Sequence, residues 1–202
     1  MTYTKEEIEN MDSVLRLKIV NLVTGIKPAS VIGTLGSNTY LSIFSSLVHL
    51  GSSPELLRLT YTRQYSEFGN SYSKIKENEV YTINHIHPGF IKNEHYTSAK
   101  FSRDISEFER CKLTDEYSEY FKVPFVNESE FKIGMRFQEK INNTVLIIGE
   151  IDHIILPDEY LVDVNLELSN EIGISGLNSY YKLKKLDSFP HINVKYFPKI
   201  EK

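Results

Sequence analysis

The segment FKIGMRFQ, residues 131–138, decides the fold class of this protein. Every second residue in it is apolar, namely Phe131, Ile133, Met135 and Phe137. This period-two pattern is typical of a β-strand with one buried face. After a predicted turn at Asn142-Asn143, residues 144–156 are long enough for a bent partner strand, in which Gly149 allows a bulge. The sequence therefore predicts an antiparallel pair of strands here.

Short segments of strand composition, separated by turn residues, fill much of the rest of the chain. We predict further strands at residues 17–23, 30–35, 40–44, 56–62 and 80–84. Gly36-Ser37-Asn38 is a predicted hairpin turn. The strand after this turn should therefore return antiparallel beside the strand before it.

Helices are predicted only at the periphery. A short leading helix at residues 4–13 has Thr4 as its N-cap and acidic residues in its first turn. A second short helix runs from Asn70 to Lys76, and residues 87–121 form a polar excursion of short helices that we expect to cover something. Together the segments predict a mainly β fold, a closed or partly closed antiparallel barrel, as a single domain over residues 1–202.

Composition and charge exclude several classes of protein. Of the 202 residues, 41% are hydrophobic and 25% are charged, which is ordinary for a globular domain. The net charge of −4 comes from mixed charges with no basic stripe, so we expect no nucleic-acid partner. Cys111 is the one cysteine, and the N-terminus does not look like a signal peptide, so we expect a cytoplasmic location. No apolar run approaches the ~20 residues that cross a membrane.

The familiar motifs of metal and hydrolytic sites do not occur. His85 and His87 would share one face of a strand, but zinc needs three or four ligands and Cys111 offers no second thiolate. The chain contains neither the G-x-S-x-G motif of a serine nucleophile nor a phosphate loop of the Walker or G-x-G-x-x-G type. We therefore expect neither a metal site nor a catalytic triad.

Residues 39–54, TYLSIFSSLVHLGSSP, combine small hydroxyl side chains with aliphatic and aromatic ones. This mixture suits a flat, amphipathic ring with a polar tail, because a backbone carrying small side chains lets a ligand approach its N–H groups closely. The same composition also fits an ordinary serine-rich strand that leads into a turn. The residues alone leave both interpretations open.

A series of segments resembles the flavin reductase-like proteins of the FMN-binding split-barrel superfamily. The longest are KPASVIGT at residues 27–34 and LSIFSSLVHLGSSP at residues 41–54. Shorter ones follow at residues 81–85, 97–101, 106–109, 147–151 and 175–181. They keep the order of the family and span about residues 14–185. Each motif is loose by itself, but their order makes the resemblance specific for the fold.

The resemblance implies a six-stranded antiparallel split barrel that forms a homodimer and holds FMN at the subunit interface. The isoalloxazine would rest on the main chain of residues 42–46, and Asn84 and His85 would approach the edge of the ring. The phosphate would lie among Ser45, Ser46, a turn at Gly51-Ser52, Arg63 and the start of the helix at Ser71. The full implied cofactor set is Ser42, Ile43, Phe44, Ser45, Ser46, His49, Gly51, Ser52, Arg63, Ser71, Asn84 and His85.

The chain departs from the family pattern at the predicted phosphate end. Tyr40 stands where relatives commonly have Asn, and Gln64 stands where an Arg-Pro pair would continue. Gly69-Asn70-Ser71 replaces a basic residue and a Thr at the start of the helix. Loss of a cation there would cost on the order of 1–3 kcal/mol of binding free energy if the phosphate is partly desolvated.

The activity implied by the resemblance is hydride transfer from NADH or NADPH to flavin. The flavin performs this chemistry itself, so no catalytic acid or base is expected in the protein. The electrons would pass to oxygen, to a partner oxygenase or to another small-molecule acceptor. Two alternatives stay open: a protein of the same fold that binds flavin without turnover, and a dimeric structural module that has lost its ligand.

Overall fold

Strands make up most of the regular structure. The computed structural model describes residues 2–61, 70–102, 104–141, 145–158, 170–176 and 178–187. Within them the strands are β1 (Lys27–Pro28), β2 (Ser30–Leu35), β3 (Thr39–Phe44), β4 (Val48–Ser52), β5 (Glu55–Tyr61), β6 (Val80–His85), β7 (Asp115–Ser118), β8 (Phe121–Val126), β9 (Lys132–Ile141), β10 (Val145–Ile155), β11 (Ile172–Ser175) and β12 (Ser179–Lys182). The helices are α1 (Lys5–Asn10), α2 (Ser13–Val23), α3 (Asn70–Asn78), α4 (Ile91–Tyr96) and α5 (Glu107–Cys111).

The central sheet has seven strands in the spatial order β3-β2-β6-β9-β10-β5-β4, and all the neighbouring pairs are antiparallel. The predicted hairpin at residues 36–38 joins β2 to β3, and β9 pairs with β10 as the alternating segment predicts. The register between β9 and β10 shifts next to Gly149, which confirms the predicted bulge. A Cβ at this position would collide with the hydroxyl of Tyr81 inside the barrel, so the bulge requires glycine.

The sheet curls into a barrel, because strands from both of its ends contribute to one core. The buried members of that core come from β2, β5, α3, β6, β9 and β10: Ile32, Leu57, Leu59, Tyr72, Ile75, Tyr81, Ile83, Met135 and Ile147. Just beyond β3, the hydroxyl of Ser46 donates to the carbonyl oxygen of Thr60 at 2.8 Å and accepts from the amide of Thr60 at 3.2 Å. These two bonds link the segment after one edge strand to β5, beside the other edge strand.

A second core covers the outer face of β2 and β3. It joins residues of these strands to α5, β8 and β11, and its buried members include Val31, Leu41, Phe108, Val126 and Ile172. The excursion after β6 therefore covers the barrel, as predicted.

The central sheet has seven strands, close to the six that the resemblance implied, and so agrees with the predicted antiparallel split barrel. One detail near β4 is wrong. Gly51 and Ser52, which were assigned to a turn, belong to β4 and pair with Leu56 and Glu55. The turn lies at residues 53 and 54 instead.

The predicted strand at residues 17–23 is also wrong, because this segment belongs to α2. The carboxylate of Asp12 accepts hydrogen bonds from the amides of Val14 and Leu15 at 3.1 and 3.0 Å, which caps the helix. The apolar run that suggested a strand is present, but it lies on a helix with no buried residue. The leading helix is confirmed, with Thr4 and Glu7 forming a capping box. No described helix is long and apolar enough to span a membrane.

Residues 87–121 contain more than the short helices that were predicted. Besides α4 and α5, the segment includes β7, which forms a hairpin with β8. The hydroxyl of Thr82 in β6 donates to the carbonyl oxygen of Pro124 at 2.9 Å and so fastens this hairpin to the barrel. The hairpin is held by a side chain of β6, 42 residues earlier in the chain. The polar composition of residues 87–121 did not indicate that the segment contains a hairpin.

Candidate functional site

The register of the sheet brings two predicted parts of the site to the same end of the barrel. Ser30 in β2 lies opposite Phe44 on one side and opposite His85 on the other. With strands spaced about 4.8 Å apart, Phe44 and His85 are roughly 10 Å from each other. The bend at Ser45 and the end of β6 therefore border one barrel mouth. The Oγ of Ser30 is buried there and has no hydrogen-bond partner among the described residues.

The outer edge of β3 is open next to this mouth. β3 is the last strand of its sheet, and the amide of Leu41 points outward to the carboxylate of Glu107. In an antiparallel strand every second residue directs its N–H and C=O to the same side, so Ile43 also faces outward. Within the described residues no group accepts a hydrogen bond from the amide of Ile43. As far as the described residues go, the N–H and C=O of Ile43 have no partner just before the bend at Ser45.

A hydroxyl pair connects β3 to the beginning of α3. The Oγ atoms of Ser42 and Ser71 are 2.6 Å apart, and Ser71 is buried in the first turn of this nine-residue helix. The first turn of a helix has amides without intrahelical partners and carries positive partial charge, which favours an anion. The serine segment and the start of this helix are therefore in contact through Ser42 and Ser71.

His49, Gly51 and Ser52 lie away from the barrel mouth. Ser46 contacts Thr60, whereas Ser52 pairs with Glu55 at the other end of β5. Five residues of strand separate these points by roughly 16 Å. The His49 imidazole instead pairs with the Ser52 hydroxyl at 3.1 Å on the exposed β4. The structure does not bring these residues to Ser45 and Ser46. Arg63, Gln64 and Gly69 lie outside the described residues.

The two residues at the end of β6 have different surroundings. Asn84 is fully buried, and its amide donates to the carbonyl oxygen of Val31 at 3.1 Å and accepts from the amide of Val126 at 2.9 Å. These bonds hold β8 against β2. The His85 ring packs against Phe131 with centroids 5.8 Å apart, and its burial lowers the pKa of the imidazole. His85 therefore presents a neutral ring at neutral pH.

Tyr40 does not fill the space beside Ser45. Its ring is buried, and its hydroxyl lies 3.2 Å from the hydroxyl of Ser37 in the hairpin turn. The side chain thus extends toward the turn, along the strand and away from residues 44–46. The departure from the family pattern at this position therefore does not place the Tyr40 side chain against residues 44–46.

Sequence reasoning missed Ser106 and Glu107 as neighbours of β3. The Ser106 hydroxyl lies 2.8 Å from that of Thr39, and Glu107 accepts from the amide of Leu41. Two signals were available, namely the family resemblance of residues 106–109 and an acidic residue followed by the apolar Phe108 and Cys111. Neither identifies the strand that this helix contacts. Nothing in the sequence pairs this helix with a strand 66 residues earlier. Within the described ranges, no group of three His, Cys, Asp or Glu residues is arranged to hold a metal ion.

The seven antiparallel strands form one barrel, and the two edge strands of the sheet, β3 and β4, are not paired with each other. This architecture is that of a split barrel. The sequence profile for the flavin reductase like domain matches residues 22–168. The chain therefore belongs to the flavin reductase-like family. No sequence among the curated proteins compared matches it.

Solved structures agree with this assignment. A split-barrel structure from Shewanella frigidimarina NCIMB 400, assigned as a flavin reductase, has 34% identity and a TM-score of 0.86, and the alignment covers 95% of this chain and 100% of that one. Nitrilotriacetate monooxygenase component B from Bacillus cereus has a TM-score of 0.80 at 14% identity, with 94% and 98% covered. An FMN-binding protein from Thermus thermophilus has 0.68 at 11%, with 82% and 91% covered. At such low identity the last two show the fold alone.

Proposed function

We propose that this protein binds FMN at the barrel mouth and transfers hydride from NADH or NADPH to it. The observation that carries the proposal is the open edge of β3 at Ile43, next to a hydroxyl pair that reaches the start of α3. Membership of the flavin reductase-like family supports the proposal independently.

The residues at the mouth fit a flavin ring. Its polar edge carries donors and acceptors, and Ile43 presents an N–H and a C=O on the same side of the strand. The aromatic rings of Phe44 and His85 stand on either side of Ser30 and supply the flat apolar surroundings that such a ring requires. Ser30 adds a buried hydroxyl that has no partner among the described residues.

The phosphate end would lie at the first turn of α3, where Ser71 meets Ser42. Arg63 would add a charge-assisted bond to the phosphate. Ser46 would contact the cofactor through its main chain rather than its hydroxyl, since both hydrogen bonds of the hydroxyl go to Thr60. Bound flavin supplies the hydride chemistry, and the protein aligns the nicotinamide over it.

We further propose that the protein acts as a homodimer. Six apolar side chains of α2 are 44–76% exposed: Val14, Leu15, Leu17, Val20, Leu22 and Val23. A helix that is apolar on this scale is normally buried against a partner. Sedimentation at micromolar concentration should show twice 23.4 kDa, and a species of 23.4 kDa alone would contradict the dimer. The reduced flavin would serve oxygen, a partner oxygenase or another small acceptor in the cytoplasm.

The experiment is a titration of the purified protein with FMN, read by quenching of flavin fluorescence, followed by NADH and NADPH oxidation. We expect saturable binding and oxidation above the rate with free flavin. The Ser71→Ala variant should weaken binding, whereas Ser73→Ala, at an exposed position on the same helix, should not. A colourless protein that quenches no flavin would overturn the proposal. Tight binding without turnover would instead identify a flavin-binding protein.

A further inference from the structure

The two edge amides of β3 at Leu41 and Ile43 face the same side of the sheet but have different surroundings. The first is bonded to the carboxylate of Glu107, and the second has no partner in the part of the chain that the structure describes. Consecutive outward residues of a strand are about 6.6 Å apart. Glu107 therefore closes the edge one step before the place where the proposed ligand would bind.

The contact between α5 and β3 is built from several interactions. Ser106, the N-cap residue of α5, pairs its hydroxyl with that of Thr39 at 2.8 Å. Phe108 and Cys111 pack with Leu41 in the second core. Glu107 itself is 8% exposed and accepts the Leu41 amide. A carboxylate buried in this way needs a donor, and this strand edge supplies one.

We propose that Glu107 is a positioning residue for the flavin-binding edge of β3. By accepting the bond from the Leu41 amide, Glu107 fixes the position and twist of β3 at Ile43. The N–H and C=O of Ile43 are then already oriented to bind the flavin ring. Glu107 also ends the usable edge, because a ligand cannot bond to an amide that is already taken. This proposal rests on the proposed function, since it assigns the role of Glu107 toward the same ligand.

The surroundings of Glu107 make this role sensitive to pH. Burial raises the pKa of its carboxyl to about 7, although the bond from Leu41 opposes the rise. On its own helix the nearby charged or titratable groups are Cys111, whose pKa burial and the charge of Glu107 raise to about 11, and Arg110. On β3 the titratable residue is Tyr40, whose hydroxyl is bonded to Ser37 on the other face. On α4, which contacts α5, the buried acid is Glu94, which accepts from the amide of His87. The ionised carboxylate accepts the amide bond more strongly than the acid does.

The test uses riboflavin as the probe, because it has the ring without the phosphate, whose own ionisation near pH 6 would overlap. In the wild type we expect the dissociation constant to fall as the pH rises from 6 to 8. Glu107→Gln retains an oxygen acceptor and should bind with little dependence on pH. Glu107→Ala should bind at least about tenfold more weakly than the wild type at pH 8. Glu109→Ala, at an exposed position on the same helix, is the matched control and should match the wild type.

Amide hydrogen exchange without flavin separates this proposal from the proposed function. The Leu41 amide should be protected in the wild type and in Glu107→Gln, and should exchange faster in Glu107→Ala. If the wild type binds no flavin, the proposed function fails, while exchange still decides whether Glu107 holds the edge. A folded Glu107→Ala with unchanged affinity and Leu41 protection would overturn the proposal. If Glu107→Ala does not fold, an unchanged pH dependence in Glu107→Gln would overturn it.

Discussion

The two edge strands of the central sheet, β3 and β4, are treated differently by the rest of the chain. On β3, Leu41 is fully buried, and its outward amide is bonded to Glu107 of α5. On β4, Val48 and Leu50 are 41% and 45% exposed, and only Gly51 among its five residues is partly buried. An open strand edge is a general hazard for association, which proteins cover or interrupt.

This difference indicates that the chain covers only part of its exposed strand edges. α5 covers β3 at Leu41 and leaves Ile43 open at the barrel mouth. A ligand-binding edge that is held rigidly just beside its open part is better preorganised than an edge that is exposed along its whole length. β4 lacks such support among the described residues, and its apolar side chains Val48 and Leu50 stay exposed.

The first prediction sets two leucines of the edge strands against each other. Leu41→Ala should lower the free energy of unfolding by about 2–5 kcal/mol, because it leaves a cavity in the second core. Leu50→Ala should change it by less than about 1 kcal/mol in the monomer, since this side chain is nearly half exposed. Urea denaturation at low protein concentration measures both. Equal losses would show that the two edges are covered alike.

Sequence reasoning succeeded where a pattern is local. Strand β9 follows from alternation over eight residues, and the bulge follows from one glycine within a long strand. The assignment of residues 17–23 failed because apolar, β-branched composition fits strand and helix equally, and only the Asp12 cap distinguishes them. The resemblance supplied the barrel and its mouth.

The parts of the site that could not be predicted depend on contacts between distant segments. The bond between Glu107 and Leu41 joins residues 66 apart, and the bonds of Asn84 depend on a hairpin 42 residues later. The position of Ser52 depends on the β4 register, which places it at the far end of β5 from Ser46. A single sequence carries no signal for these pairings.

The second prediction concerns Glu94, a fully buried acid in α4 on the covered side of the barrel. Burial raises the pKa of its carboxyl to about 8, with a smaller rise from Glu128 and an opposing bond from the His87 amide. In the unfolded chain the carboxyl of Glu94 loses its proton near its ordinary pKa of 4.5. The contribution of the protonated carboxyl to folding stability is therefore complete below about pH 4.5 and is lost as the pH rises through 8.

The Glu94→Gln variant removes this titration. As the pH rises from 5 to 8, we expect the free energy of unfolding of Glu94→Gln to increase relative to that of the wild type by roughly 1–3 kcal/mol. Urea denaturation at several pH values measures the difference, and the exposed Glu109→Gln is the control. The prediction would be contradicted by a constant difference between Glu94→Gln and the wild type across this range. Such a result would mean that Glu94 ionises alike in the folded and unfolded states.

The third prediction compares two serines, Ser46 before β4 and Ser52 at its end. Ser46 bonds to both backbone groups of Thr60, whereas Ser52 pairs with the exposed His49. Ser46→Ala leaves the Thr60 amide without this acceptor in a half-buried place, which should cost about 1–2 kcal/mol of stability. Ser52→Ala should cost less than about 0.5 kcal/mol.

The same pair tests how the barrel mouth is held together. Because the hydroxyl of Ser46 is already used by Thr60, any loss of FMN affinity in Ser46→Ala should follow from a looser link between β3 and β5. Amide exchange at Thr60 should then rise together with the dissociation constant. If affinity falls while Thr60 keeps its protection, the Ser46 hydroxyl contacts the cofactor directly, and the link to β5 belongs only to the flavin-free protein.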